Sequence, residues 1–247
     1  MNRERLYELS SRKVLKGRLD PNLCLYNPRE VYEALKSNWK VISWLDNIAH
    51  KYAPPVGKQV LLIYPCSALK PYHMSRSYRA LYRTLNSLGN RMRSLIHVVT
   101  ISEPFGIVPE EYYNKWTEWY DCPGLFEWWC RRFGQPYDRE YVNECIKILA
   151  QYVSQFLKRT ADSYKIRIAF IRTYSSRLKV NSNHTHRRII ELASKKSGID
   201  IRLLPPKEII RYIVETRGSR AWDYYGVAHP IAQEYLRSYI LKRVEGA

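Results

Sequence analysis

The residues best suited to chemistry lie in Pro65-Cys66-Ser67-Ala68-Leu69-Lys70-Pro71-Tyr72-His73-Met74-Ser75-Arg76-Ser77-Tyr78. A cysteine at the end of an apolar run, close to a lysine and just ahead of a helix N-terminus, stands where a thiolate can be formed and used as a nucleophile. Lys70 can equally bind an anion, with Ser75 and Ser77 capping the helix that follows; the plain alternative is a buried structural cysteine before a Lys-Pro turn. A second group is Asn181-Ser182-Asn183-His184-Thr185-His186-Arg187-Arg188. With Ser182 or Asn183 as N-cap, His184, His186, Arg187 and Arg188 form a cationic helix start whose free N–H groups can cradle a phosphate. Arg172, Arg177 and Lys179 stand just upstream and extend the same nucleic-acid-binding reading. A metal reading of His184-x-His186 needs a third ligand at recognisable spacing. The sequence offers none, so neither a metal nor a cofactor is expected. Trp116, Trp119, Trp128 and Trp129 beside Arg131 and Arg132 can form a base-stacking lip or pack over the core. Cys122 and Cys130 lack metal-knuckle spacing.

These groups sit in a strongly basic chain. Its 247 residues carry 41 Lys+Arg against 23 Asp+Glu, a net charge of +18, which points to a polyanionic partner. There are 21 Tyr and 7 Trp but only 5 Phe, so most aromatic surface has a polar handle and suits stacking on unpaired bases. A thermophile's composition explains the aromatic bias equally well, but the charge less well. No apolar run reaches the length of a bilayer span and Met1–Lys13 lacks a signal-peptide core, so no membrane association is expected. The five cysteines, odd in number and irregularly spaced, form no disulfide framework. The expected compartment is the cytoplasm.

Four short apolar runs, Val60–Tyr64, Leu95–Ile101, Ile166–Ile171 and Ile199–Leu204, read as strands buried on both faces. Residues 1–27 read as polar and irregular. Asn27-Pro28 opens a helical stripe through Val31, Leu35, Trp39, Ile42, Leu45 and Ile48. Further helical patterns cover Ser77–Leu88, Pro109–Trp119, Asp138–Lys158, Asn183–Lys195, Pro206–Thr216 and Pro230–Val244. The expected fold is a three-layer α/β/α sandwich around a mainly parallel sheet of about four strands, with residues 1–55 as a helical extension packed on a core of residues 56–247. In such sheets ligands bind beyond the carboxyl ends of the strands. Those ends carry Pro65, Cys66 and Ser67, then Ser102, Glu103, Phe105 and Gly106, then Arg172 and Tyr174. Cys66, Lys70, Ser102, Glu103 and Tyr174 are therefore expected in one concavity.

The first motif resembles the signature of the archaeosine synthases, archaeal tRNA-modifying enzymes related to tRNA-guanine transglycosylases. That signature runs Pro-Cys, three residues, Lys-Pro-Tyr, two residues, Ser, two residues, His. Pro65, Cys66, Lys70, Pro71, Tyr72 and Ser75 match it, and Tyr78 replaces the final His. Thr100–Pro109 resembles the family's Thr-Ser-Pro-Leu-Gly-Val-Val-Pro segment, and Tyr120-Asp121-Cys122-Pro123 its Tyr-Asp-x-Pro. The resemblance covers residues 58–245 and implies a fold similar to uracil-DNA glycosylases. It implies addition of a nitrogen nucleophile to a nitrile-bearing 7-deazaguanine already in tRNA. Such an addition runs through thiolate attack, with Cys66 as nucleophile, or through direct amine attack with acid assistance at the nitrile nitrogen. Glu103 or Asp121 would handle protons and Lys70 would hold a phosphate or carboxylate. Pro65, Ser67, Tyr72, Ser75, Ser102, Phe105, Gly106 and Tyr174 would shape the substrate site. The expected partners are tRNA and a separate protein supplying the transglycosylase-like or PUA domains that accompany this core in the family. Because a phenol is no proton shuttle near neutrality, Tyr78 keeps a second class open: a non-catalytic RNA-binding paralogue. A DNA glycosylase is the third. His229-Pro230 reads as a helix-start turn, and no Gly-Gln-Asp-Pro segment is present.

Overall fold

In the computed structural model, which describes residues 1–245, a run rich in β-branched and aliphatic residues lies at the centre of the molecule. In chain order the elements are α1 (Arg3–Ser11), β1 (Arg18–Cys24), α2 (Pro28–Ser37), α3 (Trp39–Asp46), β2 (Val60–Pro65), α4 (Arg76–Asn86), α5 (Asn90–Leu95), β3 (Ile96–Ser102) and β4 (Gly106–Pro109). They continue as β5 (Glu118–Asp121), α6 (Glu127–Phe133), α7 (Arg139–Arg159), β6 (Ile166–Phe170), α8 (Thr185–Ser197), β7 (Arg202–Leu204), α9 (Lys207–Arg217), α10 (Ser219–Tyr225) and α11 (Pro230–Glu245). The main sheet has the order β4-β3-β2-β6-β7. β2 pairs in parallel with β3 and β6, and β6 with β7, while β4 folds back antiparallel on β3. Val60 to Tyr64 and Ile96 to Ser102 are fully or almost fully buried, as both faces of a covered parallel strand require.

The helices fall into two groups that pack among themselves: α2, α3, α7 and α8 in one, α4, α9, α10 and α11 in the other. With the sheet they make the expected α/β sandwich. The chain runs from β2 to β3 on one side and then returns across β2 to β6. The crevice beyond the carboxyl end of β2 is therefore a topological switch point, the usual place for a ligand in an open parallel sheet.

Three elements differ from expectation. Pro109–Trp119, read as a helix, forms a single 3₁₀ turn at Glu110–Tyr112 and then enters β5. Residues 1–27, read as irregular, contain α1 and β1, and β1 pairs in parallel with β5 as a separate two-stranded sheet. The stripe from Pro28 to Ile48 breaks at Asn38, whose side chain caps α3 by accepting from the N–H groups of Lys40 and Val41. Residues 1–55 thus contribute a strand as well as helices, and they are tied to the later chain by more than packing: Ser10 Oγ donates to Asp121 at 2.6 Å, and Lys13 pairs with the same carboxylate. His229 does start a helix, its Nδ1 accepting from the N–H of Ile231 at 3.2 Å.

Candidate active site

β2 ends in Pro65 and delivers Cys66 to the switch point, and β3 ends in Ser102 and delivers Glu103 beside it. The first turn of α8 brings Thr185 and His186 in from above. His186 Nε2 lies 2.9 Å from Glu103 Oε2 and 3.7 Å from Cys66 Sγ. The Thr185 hydroxyl donates to the other oxygen of Glu103, so that carboxylate is held from two sides. Glu103, Thr185 and His186 are all buried and Cys66 is half-buried. Burial alone would pull the His186 imidazole down, but the Glu103 carboxylate and the neighbouring thiol outweigh it and push it up to about 10. Burial acts on Glu103 in the opposite sense, and the His186 charge together with both hydrogen bonds hold its carboxyl below the usual range. Beside them His184 is pressed down to about 3, first by burial and then by the charge on His186, so its ring is neutral.

These side chains lie along a cavity of about 460 Å³, a size suited to a small planar ligand. Ser67, Lys70, Ser102, Asp121, Arg132, Arg172 and His184 contribute to its other polar walls, Pro65 to its apolar ones, and Phe126, Trp128, Phe133 and Tyr225 to its aromatic ones. Trp128 is 64% exposed, whereas Trp119 is fully buried and Trp129 stacks on Tyr26; only the first of the three presents an open face. Further basic side chains gather here beside the two carboxylates, Glu103 and Asp121, which His186 and Lys13 already engage. Lys70, 3% exposed, donates to the Ser67 carbonyl and lies over the rings of Tyr72 and Tyr120, and burial lowers its pKa. Arg172 donates to the carbonyls of Trp222 and Asp223. It can lie against that turn because Gly226 has no side chain: a Cβ there would stand 2.7 Å from the guanidinium.

The family model described as "Domain of unknown function (DUF5591)" matches residues 41–197, well over half of the chain. The chain belongs to this family. Three curated relatives bear the name archaeosine synthase subunit alpha. The one from Thermococcus kodakarensis is 33% identical over 89 residues, 36% of this chain and 15% of its own length. That from Methanosarcina acetivorans is 29% identical over 170 residues, 68% of this chain and 22% of its own length. That from Thermoplasma acidophilum is 34% identical over 90 residues, 36% of this chain and 17% of its own. The chain is thus an archaeosine synthase family domain, and its matches span between 15% and 22% of the length of these relatives. A crystal structure of AF0587, a protein of unknown function, is 18% identical over 80% of this chain and 49% of that one; at a TM-score of 0.44 it carries no argument.

Measured against the family motif, the structure gathers some of the expected residues and disperses others. Cys66, Lys70, Ser102, Glu103, Asp121, Pro65 and Ser67 share the cavity, together with Arg172, His184 and His186. Asp121, however, spends its Oδ2 on Lys13 and Ser10. Tyr72 is fully buried, its hydroxyl on that of Tyr120, and Ser75 is the N-cap of α4. Phe105 packs on Trp44, Trp116 and Tyr120, and Gly106 faces Leu45. Tyr174, expected in the concavity, instead bridges to Val180 and accepts from the Trp222 indole. Arg177 and Lys179 are exposed on the loop before α8, Arg187 pairs with Glu191, and Arg188 donates to Asn143. His186, read from sequence as a phosphate contact, points inward to the thiol and the carboxylate. Tyr78 is fully buried with its hydroxyl on Thr100 and stands outside the cavity lining.

Proposed function

We propose that this cavity binds a nitrile-bearing 7-deazaguanine of tRNA and adds a nitrogen nucleophile to it, within the tRNA-modification role that the relatives' names carry. The observation that supports this most is the meeting of His186 with Glu103 and Cys66 at the switch point. Addition to a nitrile forms a C–N bond and leaves negative charge on the nitrile nitrogen, which takes up the proton the amine loses. A group holding positive charge at that nitrogen lowers the barrier. The cluster supplies one, because His186 is held cationic by Glu103 in a buried setting where charge acts strongly. Both routes end on these three residues: Cys66 attacks the nitrile carbon, His186 protonates the nitrile nitrogen and the amine then displaces the Cys66 thiolate from the thioimidate, or the amine adds directly with His186 as acid. Trp128 and Tyr225 offer faces for the base, and Arg132 and Arg172 offer charge to the phosphates beside it, while the buried Lys70 lines the floor. tRNA, with a partner protein supplying further RNA-binding domains, completes the reading.

The test is conversion of a tRNA carrying the nitrile base, with ammonia and a panel of amino acids as donors, read by nucleoside mass spectrometry. Wild-type protein should give a product heavier than the starting base by the added amine. His186→Ala should lower the rate by about 10²–10⁴-fold, the range of a lost general acid. No product with any donor, together with no binding of the free base, would sink the reading and leave the RNA-binding paralogue standing.

A further inference from the structure

We propose that Cys66, Glu103 and His186 hold a divalent transition-metal ion, zinc by the donor set, with one coordination position open to the cavity. The three offer a thiol, a carboxylate oxygen and an imidazole nitrogen that all lie within 4.8 Å of one another. They arrive from three elements far apart in sequence, so no local motif forces the convergence. The way in which His186 is used is the telling detail. In a nucleophile–base–acid relay the imidazole would serve the thiol with one nitrogen and the carboxylate with the other. Here Nε2 faces both, while Nδ1 is buried with no partner. Three donor atoms therefore aim at a common point, as ligands around an ion do.

The distances fit. Tetrahedral zinc with bonds of about 2.3 Å to sulfur and about 2.0–2.2 Å to nitrogen and oxygen sets S···N at about 3.6 Å and N···O at about 3.4 Å. The observed S···N separation is 3.7 Å, and N···O at 2.9 Å needs to open by only about half an ångström. Charge fits as well: a thiolate and a carboxylate together balance a divalent ion, with the imidazole neutral, so no net charge is left buried. Thr185 already holds Glu103 from behind in the manner of an outer-sphere partner. Three protein ligands and an open fourth position are the pattern of a catalytic rather than a structural zinc.

The inference deepens the reading above, on which its chemistry rests. An ion at this point takes the place of the proton on His186 and polarises the nitrile nitrogen as a Lewis acid. Cys66 then serves as ligand, so the amine adds directly and no covalent enzyme intermediate forms.

The test uses the full chain, stripped with a chelator and titrated with zinc against a chromophoric competitor, without tRNA. The expected result is one ion per chain, with at least tenfold weaker binding in Cys66→Ser and His186→Ala and no loss in Cys122→Ser. Cobalt loading should give a sulfur-to-cobalt absorption band that Cys66→Ser removes. Circular dichroism of each variant reports whether it still folds. Substoichiometric metal, or binding that survives Cys66→Ser, overturns the proposal. So does nitrile conversion by stripped protein through a mass adduct on Cys66. A chain that binds zinc through these residues but converts no nitrile leaves the metal site standing and sinks the tRNA reading alone.

Discussion

The imidazole at the site comes from His186, 120 residues from Cys66, and not from the position where the family motif carries its histidine. Tyr78 has gone the other way, into a fully buried set of hydroxyls with Thr100 and Tyr113. Loss of the motif histidine therefore does not remove the imidazole from the thiol. Burial sets the other four cysteines apart from Cys66. Burial pushes Cys24 and Cys130 up to about 11, Cys145 to about 12, and Cys122 well above the usual thiol range. At pH 7 a thiol raised to about 11 is a thiolate only about one part in ten thousand of the time. Cys66 and Cys122 are both half-buried and line the cavity, but of the two it is Cys66 that lies against the His186 imidazole. Iodoacetamide at pH 7 should modify it first, by peptide mass mapping, and bound zinc or a nitrile base should protect it. Labelling spread evenly over the five thiols would remove Cys66 from the reactive centre.

At the scale of elements, the wall of the cavity depends on the N-terminal segment. Asp121 at the end of β5 accepts from Ser10 and Lys13, and β1 pairs along β5. Asp121→Asn leaves the half-buried Lys13 short of the carboxylate it pairs with and should cost about 1–3 kcal/mol. For a chain of this size that is a drop of about 2–4 °C in Tm per kcal/mol, measured by thermal unfolding. Loss of nitrile conversion with an unchanged Tm would instead give the carboxylate a chemical role. The long β-branched runs of β2, β3 and β6 are legible in the sequence because a strand covered on both faces must be apolar throughout. Start signals at Ser75 and at His229-Pro230 made α4 and α11 legible, and a one-faced apolar stripe through Cys145 and Phe156 did the same for α7. β5 was not: Trp116, Trp119 and Tyr120 follow helical spacing as well as strand spacing, and only its partner β1 decides between them. β1 itself carries Pro21 and Asn22, residues that local propensity assigns to turns. Cys66 and Glu103 could be placed together because each ends a predicted strand. His186 could not, because its approach depends on how the loop after β6 carries the start of α8 back over β2, and nothing in Asn181–Arg188 encodes that.

For the whole molecule the dominant quantity is the surplus of 18 positive charges. Part of it collects around the cavity in Lys70, Arg132 and Arg172, and part on the exposed loop with Arg177 and Lys179. Binding to tRNA should weaken steeply with salt, the log–log slope steepening by about 0.7–0.9 for each phosphate neutralised. Affinity that stays flat from low to moderate salt in a filter-binding titration would contradict a phosphate-led interface. No helix among the described residues is long and apolar enough to cross a membrane. The pairing of β1 with β5 also fixes an order in time. β1 is complete at Cys24, but the strand it lies against ends only at Asp121. At translation speeds of about 5–20 residues per second, the first strand waits about 5–20 s with its edge unpaired. The last ligand of the cluster, His186, emerges later still. A nascent chain therefore carries its cysteine motif well before it owns the imidazole and the wall that give that motif a site.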